Sequence, residues 1–227
     1  GFLRPNIDLA YMNARVFGLM HPFGPAMAGR SKSDHGQQAN RLAGRQVSFG
    51  LVQGRNQGVS VYWRARNGWF SYRWSQIFES NGLAQSVEVM KARREKNSEQ
   101  APFHPVPIDE LVSKIRSYSP DIVFAPHVET SAGIILPDSY IKKMAEAAHE
   151  VGAIMVLDCI ASGCAWIDMN ELGVDVLISA PQKGWSASPS AGLVMLSELA
   201  IERMETSTSD SFAIDLKKWH SIMQAYE

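Results

Sequence analysis

The 227-residue chain is poor in cysteine, in net charge and in long apolar runs, and each shortage excludes a class of protein. Cys159 and Cys164 are its two cysteines, spaced C-x4-C with no second pair, so neither a disulfide scaffold nor a zinc ribbon is indicated. A cytoplasmic home is the expectation that follows. A formal net charge of -1 gives no long-range field to draw nucleic acid or an anionic membrane, so binding must come from a local site and a small-molecule partner is expected. No stretch approaches the roughly 20 apolar residues that cross a bilayer, and Gly1-Phe2-Leu3-Arg4-Pro5 lacks a signal peptide's order of charge then apolarity. The first residue is not methionine, so the amino end is expected to be cut. What is present is 45% hydrophobic and 20% charged residues, enough to bury a core as one globular domain with part of a second.

The pattern is clearest after Pro107. Ile108-Asp109-Glu110 opens a helix with acid in its first turn, and Leu111, Val112 and Ile115 form its apolar stripe. Ile122-Val123-Phe124-Ala125 is wholly apolar, as a strand buried in a parallel sheet would be, and leads into the loop His127 to Gly133. Asp138 is expected to cap a second helix with Ile141, Met144, Ala145, Ala148 and Val151 on its inner face, stopped by Gly152. A strand over 154–157 then ends at Asp158, a helical turn spans 169–172, and a strand over 174–178 runs out into Ser179-Ala180-Pro181-Gln182-Lys183. A strand over 191–196 and a helix over 197–204 follow. This alternation predicts an α/β fold, a mostly parallel sheet with helices on both faces. Ligands of such sheets sit beyond the carboxyl ends of the strands, which is where the loop, the aspartate and the lysine fall.

The amino-terminal third differs. Residues 1–66 are expected to be irregular, with 31–66 rich in Gly, Gln, Asn and Arg and without a sustained period. Order is expected to resume at Asn67. Leu216, Trp219 and Met223 have helical spacing in a last helix that looks interrupted.

A carboxylate after four apolar residues, as at Asp158, is costly to bury unless a cation meets it; the bland alternative is a helix cap or a solvated loop group. Lys183 is flanked by Gly184, Trp185 and small residues rather than by carboxylates, surroundings in which an amine can be tuned for imine chemistry, although most lysines are simply solvated. His127 and Glu129 offer two metal-ligand types in one loop without a partner cluster, and a loop-shaping role is the better reading. Cys159 and Cys164 are expected in the core, and Arg93-Arg94-Glu95-Lys96 as a solvated patch. For each of Trp69, Phe70, Tyr72 and Trp74, core packing is the default.

Three ordered segments, His127-Val128-Glu129-Thr130-Ser131-Ala132-Gly133, Leu157-Asp158-Cys159-Ile160-Ala161-Ser162 and Ser179-Ala180-Pro181-Gln182-Lys183-Gly184, resemble signatures of the class V aminotransferases, which depend on pyridoxal 5'-phosphate (PLP). The likeness is greatest to the alanine-glyoxylate and serine-glyoxylate group. Asn67-Gly68-Trp69-Phe70-Ser71-Tyr72-Arg73-Trp74 is similar to the same group's "NG, aromatic, then Arg" segment. The resemblance implies the fold type I large domain, with a PLP-binding core over 67–207 and, over 208–227, the start of a truncated helix leading to a missing small domain. It implies that Lys183 is the Schiff-base lysine, that Asp158 pairs with the pyridine nitrogen and that Ile160 packs under the ring. Thr130 would bond the phenolic oxygen, Gln182 would help hold the phosphate, and Phe70, or Trp69 beside it, would stack on the ring. The implied reaction is transamination of a small amino acid with a keto acid such as glyoxylate or pyruvate, in a homodimeric full-length parent. A lyase or desulfurase on the same scaffold, or an inactive fragment, remains open.

The resemblance stops at Arg66. The family's Gly/Ser/Thr turn, which opens a helix whose N–H groups bind the cofactor phosphate, is not found in 31–66; a shifted reading frame, a deletion or a divergent insertion is expected there. With the substrate-binding small domain also expected beyond Glu227, weak or absent turnover is expected from this chain alone.

Overall fold

The computed structural model describes residues 15–18, 61–81, 84, 86–209, 212 and 215–226. In chain order they form β1 (Arg15–Gly18), β2 (Val61–Arg66), α1 (Trp69–Asn81), β3 (Ser86–Lys91), β4 (Arg93–Arg94), β5 (Phe103–His104), α2 (Ile108–Tyr118), β6 (Ile122–Pro126), β7 (Val128–Glu129), β8 (Ile134–Ile135), α3 (Asp138–Glu150), β9 (Ile154–Asp158), α4 (Met169–Leu172), β10 (Val176–Ser179), β11 (Leu193–Leu196), α5 (Glu198–Glu205) and α6 (Leu216–Gln224). Seven strands make one sheet in the order β1-β11-β10-β9-β6-β2-β3. Strands β3, β2, β6, β9 and β10 run parallel to one another, while β11 is antiparallel to β10 and β1.

The apolar runs of the central strands are explained by burial on both faces. Because successive side chains point to opposite sides, Val123, Ala125, Met155, Leu157 and Leu177 pack with Leu111 and Ile115 of α2 and with Ile141, Met144 and Ala148 of α3. Ile122, Phe124, Ile154, Val156, Val176 and Ile178 pack on the other side with Trp74 and Phe78 of α1, Ala200 and Met204 of α5, and Leu216 of α6. The result is a three-layer α/β domain, as the alternating pattern predicts.

The topology also locates the site. From β2 the chain crosses through α1 to β3 on one side, whereas from β6 it crosses through α3 to β9 on the other. The connections of adjacent strands β2 and β6 therefore diverge, and a crevice opens at their carboxyl ends, the place where open α/β sheets bind ligands.

Several expectations need correction. Val61–Arg66 is a strand paired with both β3 and β6, and Arg15–Gly18 pairs with β11, so order begins before Asn67. An average over the Gly- and Gln-rich surroundings hides the β-branched and aromatic run Val61-Tyr62-Trp63, which suits a strand. The other residues of 1–60, including the expected site of the missing phosphate-binding turn, lie outside the described residues. Asp138 occupies the first turn of α3, and Pro137 is the cap, without a side-chain bond. Its charge still suits a helix amino terminus. Cys159 is buried as expected, but Cys164 is exposed, because the chain has left the sheet by that point. Arg93 and Arg94 are exposed, and Arg93 bonds Glu110 of α2 at 2.9 Å.

One buried acid links the two faces. Asp175, 4% exposed, accepts hydrogen bonds from the Met155 N–H (2.8 Å), the Ser197 hydroxyl (3.0 Å) and His149 Nε2 (2.8 Å). Ser197 in turn caps α5 through the Ala200 N–H. The hydrogen bond to Asp175, reinforced by its charge and opposed by burial, raises the His149 pKa. A raised folded-state pKa means that the stabilisation is complete below the unfolded histidine value, near about 6.5, and is lost as pH rises through the folded one. The denaturation midpoint is therefore expected to fall more steeply above about pH 6.5 in the unsubstituted protein than in His149→Gln. Equal slopes in thermal melts across that range would contradict the coupling.

Candidate active site

Three parallel strands deliver the groups at the crevice. At the end of β9, partly buried Asp158 is fixed at both carboxylate oxygens: Oδ1 accepts the Ile160 N–H and Oδ2 accepts Trp74 Nε1–H, each at 3.1 Å. Burial pushes its pKa up, those two hydrogen bonds pull it back, and the Glu129 charge pushes it up again. The residue thus sits where a cationic partner would relieve it. Beyond β10 the chain turns at 181–185, held by the Ala187 N–H to the Pro181 carbonyl (2.9 Å) and the Lys183 N–H to the Ala180 carbonyl (3.3 Å). This turn carries Lys183. It packs so closely on the loop after β9 that a Cβ at Gly184 would lie 2.5 Å from the Gly163 carbonyl oxygen. That contact explains the glycine after the lysine.

The amino terminus of α1 forms the opposite wall, and the loop after β6 anchors it. Glu129, fully buried, accepts the Phe70 N–H on Oε1 (3.1 Å) and the Ser71 N–H and hydroxyl on Oε2 (2.8 and 2.7 Å). The Ser131 hydroxyl adds a bond to Oε1 at 2.6 Å and accepts the Trp69 N–H at 2.8 Å. Burial alone would raise the Glu129 pKa, but the Ser131, Ser71 and Phe70 donors together outweigh it and lower it. A carboxylate supplied by another segment therefore satisfies the helix's free N–H groups and its positive end. Gly68 allows the approach: a Cβ there would collide with Ser131 Oγ and lie 2.7 Å from Glu129 Cγ.

One cleft is lined by Phe70, Ser71, Arg73, Trp74 and Ile77 of α1, by Pro126 at the end of β6 and Val128 and Thr130 beyond it, by Asp158, Ile160 and Ala161, and by Lys183. Five of the seven residues singled out from sequence, Lys183, Asp158, Thr130, Ile160 and Phe70, meet there. The other two do not. Trp69, 64% exposed, lines a separate cleft with Arg66, Tyr72, Lys91 and Phe103, since adjacent helix positions point about 100° apart. Gln182 is partly buried beside Lys183 but is absent from the cleft lining. Sequence reasoning missed Trp74 as a site residue and undervalued Glu129. The spacing of Phe70 and Trp74, one helical turn apart, was the available sign; the long-range anchoring by Glu129 had none. His127 is buried and pairs with the Ser162 hydroxyl at 2.7 Å, and burial lowers its pKa despite the Asp138 charge. Among the described residues no acidic, histidine or cysteine cluster suits a metal ion, and no helix is long and apolar enough to cross a membrane.

The profile of the aminotransferase class-V family matches residues 79–226. The chain belongs to the class V aminotransferases. Class V relatives include the L-aspartate–glyoxylate aminotransferase of Paracoccus denitrificans, 26% identical over 67% of this chain and 37% of that protein. A protein named soluble hydrogenase, small subunit, from a Synechococcus strain is 29% identical over 67% of this chain and 38% of its own. The crystal structure of an alanine–glyoxylate aminotransferase from a Nostoc species superposes with a TM-score of 0.65 at 22% identity, covering 79% of this chain and 44% of that one. This class V chain thus spans less than half the length of these relatives.

The anchoring of α1 is open to direct test. Glu129→Ala leaves the buried Ser71 donors and the partly buried Phe70 N–H without their acceptor and is expected to cost about 3 kcal/mol in urea denaturation, with Glu129→Gln milder. A loss for the alanine variant within about 0.5 kcal/mol would contradict the anchoring role.

Proposed function

We propose that this chain carries the cofactor-binding core of a PLP-dependent aminotransferase that moves an amino group from a small amino acid to a keto acid such as glyoxylate or pyruvate. The observation that carries the reading is a shared cleft: Lys183 and Asp158, delivered by neighbouring strands β10 and β9, line it together with an aromatic ring, Phe70. The donor set suits PLP group by group. A half-buried carboxylate short of a cation matches a protonated pyridine nitrogen, a cleft-lining amine matches an aldehyde, and the Phe70 and Ile160 side chains match the ring's apolar faces.

Bound there, PLP supplies an electron-withdrawing ring that stabilises negative charge on the substrate's α-carbon. Asp158 holds the proton on the ring nitrogen and so preserves that withdrawal. Lys183 Nζ, which lines the cleft, would hold the aldehyde carbon and would be the base for the substrate's α-proton. Thr130 would hold the phenolic oxygen through its hydroxyl, and Phe70 and Ile160, which line the same cleft, would orient the ring and exclude water. Neither ring stacking by Trp69 nor a phosphate contact by Gln182 belongs to the proposal, since both lie off the cleft. Among the described residues neither buried Cys159 nor exposed Cys164 lines the cleft.

PLP added to the purified protein is expected to give an absorption band at roughly 410 to 430 nm that Lys183→Ala lacks. Transfer of nitrogen to glyoxylate, measured as glycine formation, is expected to be weak in this chain alone and to drop at least about 100-fold further in that variant. A folded protein that binds no PLP, or a band unchanged in Lys183→Ala, would overturn the reading. A band without glycine formation would leave a cofactor-binding but inactive chain.

A further inference from the structure

We propose that Trp74 is a positioning residue for Asp158: its indole N–H locks the carboxylate plane so that the remaining lone pairs face the cofactor's ring nitrogen. The inference rests on the PLP reading above and adds a group that the family resemblance does not assign.

Trp74 is 6% exposed, stacked on Phe78 (6.1 Å between ring centres) and tilted against Phe124 (4.8 Å). Phenylalanine would serve that aromatic cluster as well. What indole adds is one donor, and a buried indole N–H needs an acceptor. Here the acceptor is the one carboxylate among the described residues of the cleft, Asp158 Oδ2 at 3.1 Å. The terminal torsion of an aspartate is broad and soft. The Ile160 N–H on Oδ1 comes from the strand's own exit and by itself leaves the carboxylate free to pivot. A second bond on the other oxygen, from a different helix, removes that freedom.

The donor's neutrality matters too. An arginine or lysine in its place would neutralise Asp158 and compete with a cationic ring, whereas an indole N–H favours the ionised carboxylate without cancelling its charge. Its position is inherited from the helix. Glu129 pins the start of α1 at Phe70 and Ser71, and one turn later Trp74 reaches Asp158 while Phe70 lines the same cleft. The polar anchor, the aromatic wall and the carboxylate are thereby set by one rigid element.

The test compares PLP with its 1-deaza analogue, which carries CH in place of the ring nitrogen. In Trp74→Phe, PLP affinity is expected to weaken about tenfold or more, while affinity for the analogue changes by less than about threefold. The pH below which PLP binding fades is expected to move upward, because Asp158 loses a bond to its ionised form. Replacing the residue with benzothienylalanine, which exchanges N–H for sulfur in nearly the same shape, is expected to give the same selective loss and guards against a packing defect. In Asp158→Asn, adding Trp74→Phe is expected to cost little further. Equal weakening toward both ligands, or no weakening toward PLP, overturns the role of Trp74 alone. Failure of the unsubstituted protein to bind PLP overturns the proposed function and this inference with it.

Discussion

A carboxylate at the end of a buried strand is the constraint around which this site is organised. Asp158 follows four apolar residues into a place where burial and the Glu129 charge work against its ionisation, while two hydrogen-bond donors support the ionised form and the cleft offers room for a cation. The Ile160 N–H and the Trp74 indole hold its two oxygens, and Lys183 stands on the same cleft rather than across from Asp158 in an ion pair. An amine free of the carboxylate remains available for covalent chemistry, and a carboxylate free of the amine remains available for a ring nitrogen.

The sheet makes this possible at little cost in flexibility. Parallel strands β6, β9 and β10 end side by side, so the segments that leave them start at one rim, and the two-faced core behind them fixes where each segment begins. The fourth wall, α1, comes from the other side of the divergence between β2 and β6. It is tied across the gap by Glu129, by Ser131 and by a glycine that admits no side chain. The site is therefore precise where backbone meets backbone, as at Gly184 on Gly163, and open where a ligand would enter.

Much of this was legible before any coordinates. The apolar runs ending at 125, 157 and 178 and the helix stripe of 141, 144, 145 and 148 reflect burial, which composition and period report directly. Asp158 and Lys183 stood out because each broke its local pattern. What could not be read was contact between distant segments. Glu129 looked like a loop acid because its partners lie about sixty positions away, and Trp74 looked like core because packing and hydrogen bonding by one indole share the same sequence sign. Val61–Arg66 was lost by averaging over its neighbours, and Trp69 was carried along with Phe70 although a helix turns adjacent residues apart.

The most direct measurement of the central claim is the protonation state of the ring nitrogen, read by 15N NMR on protein loaded with [15N]PLP at neutral pH. The nitrogen is expected to be protonated in the unsubstituted protein and unprotonated in Asp158→Asn, which keeps the shape but not the charge. The same nitrogen signal in both proteins would mean that Asp158 does not meet the ring, and the account of the site would fail.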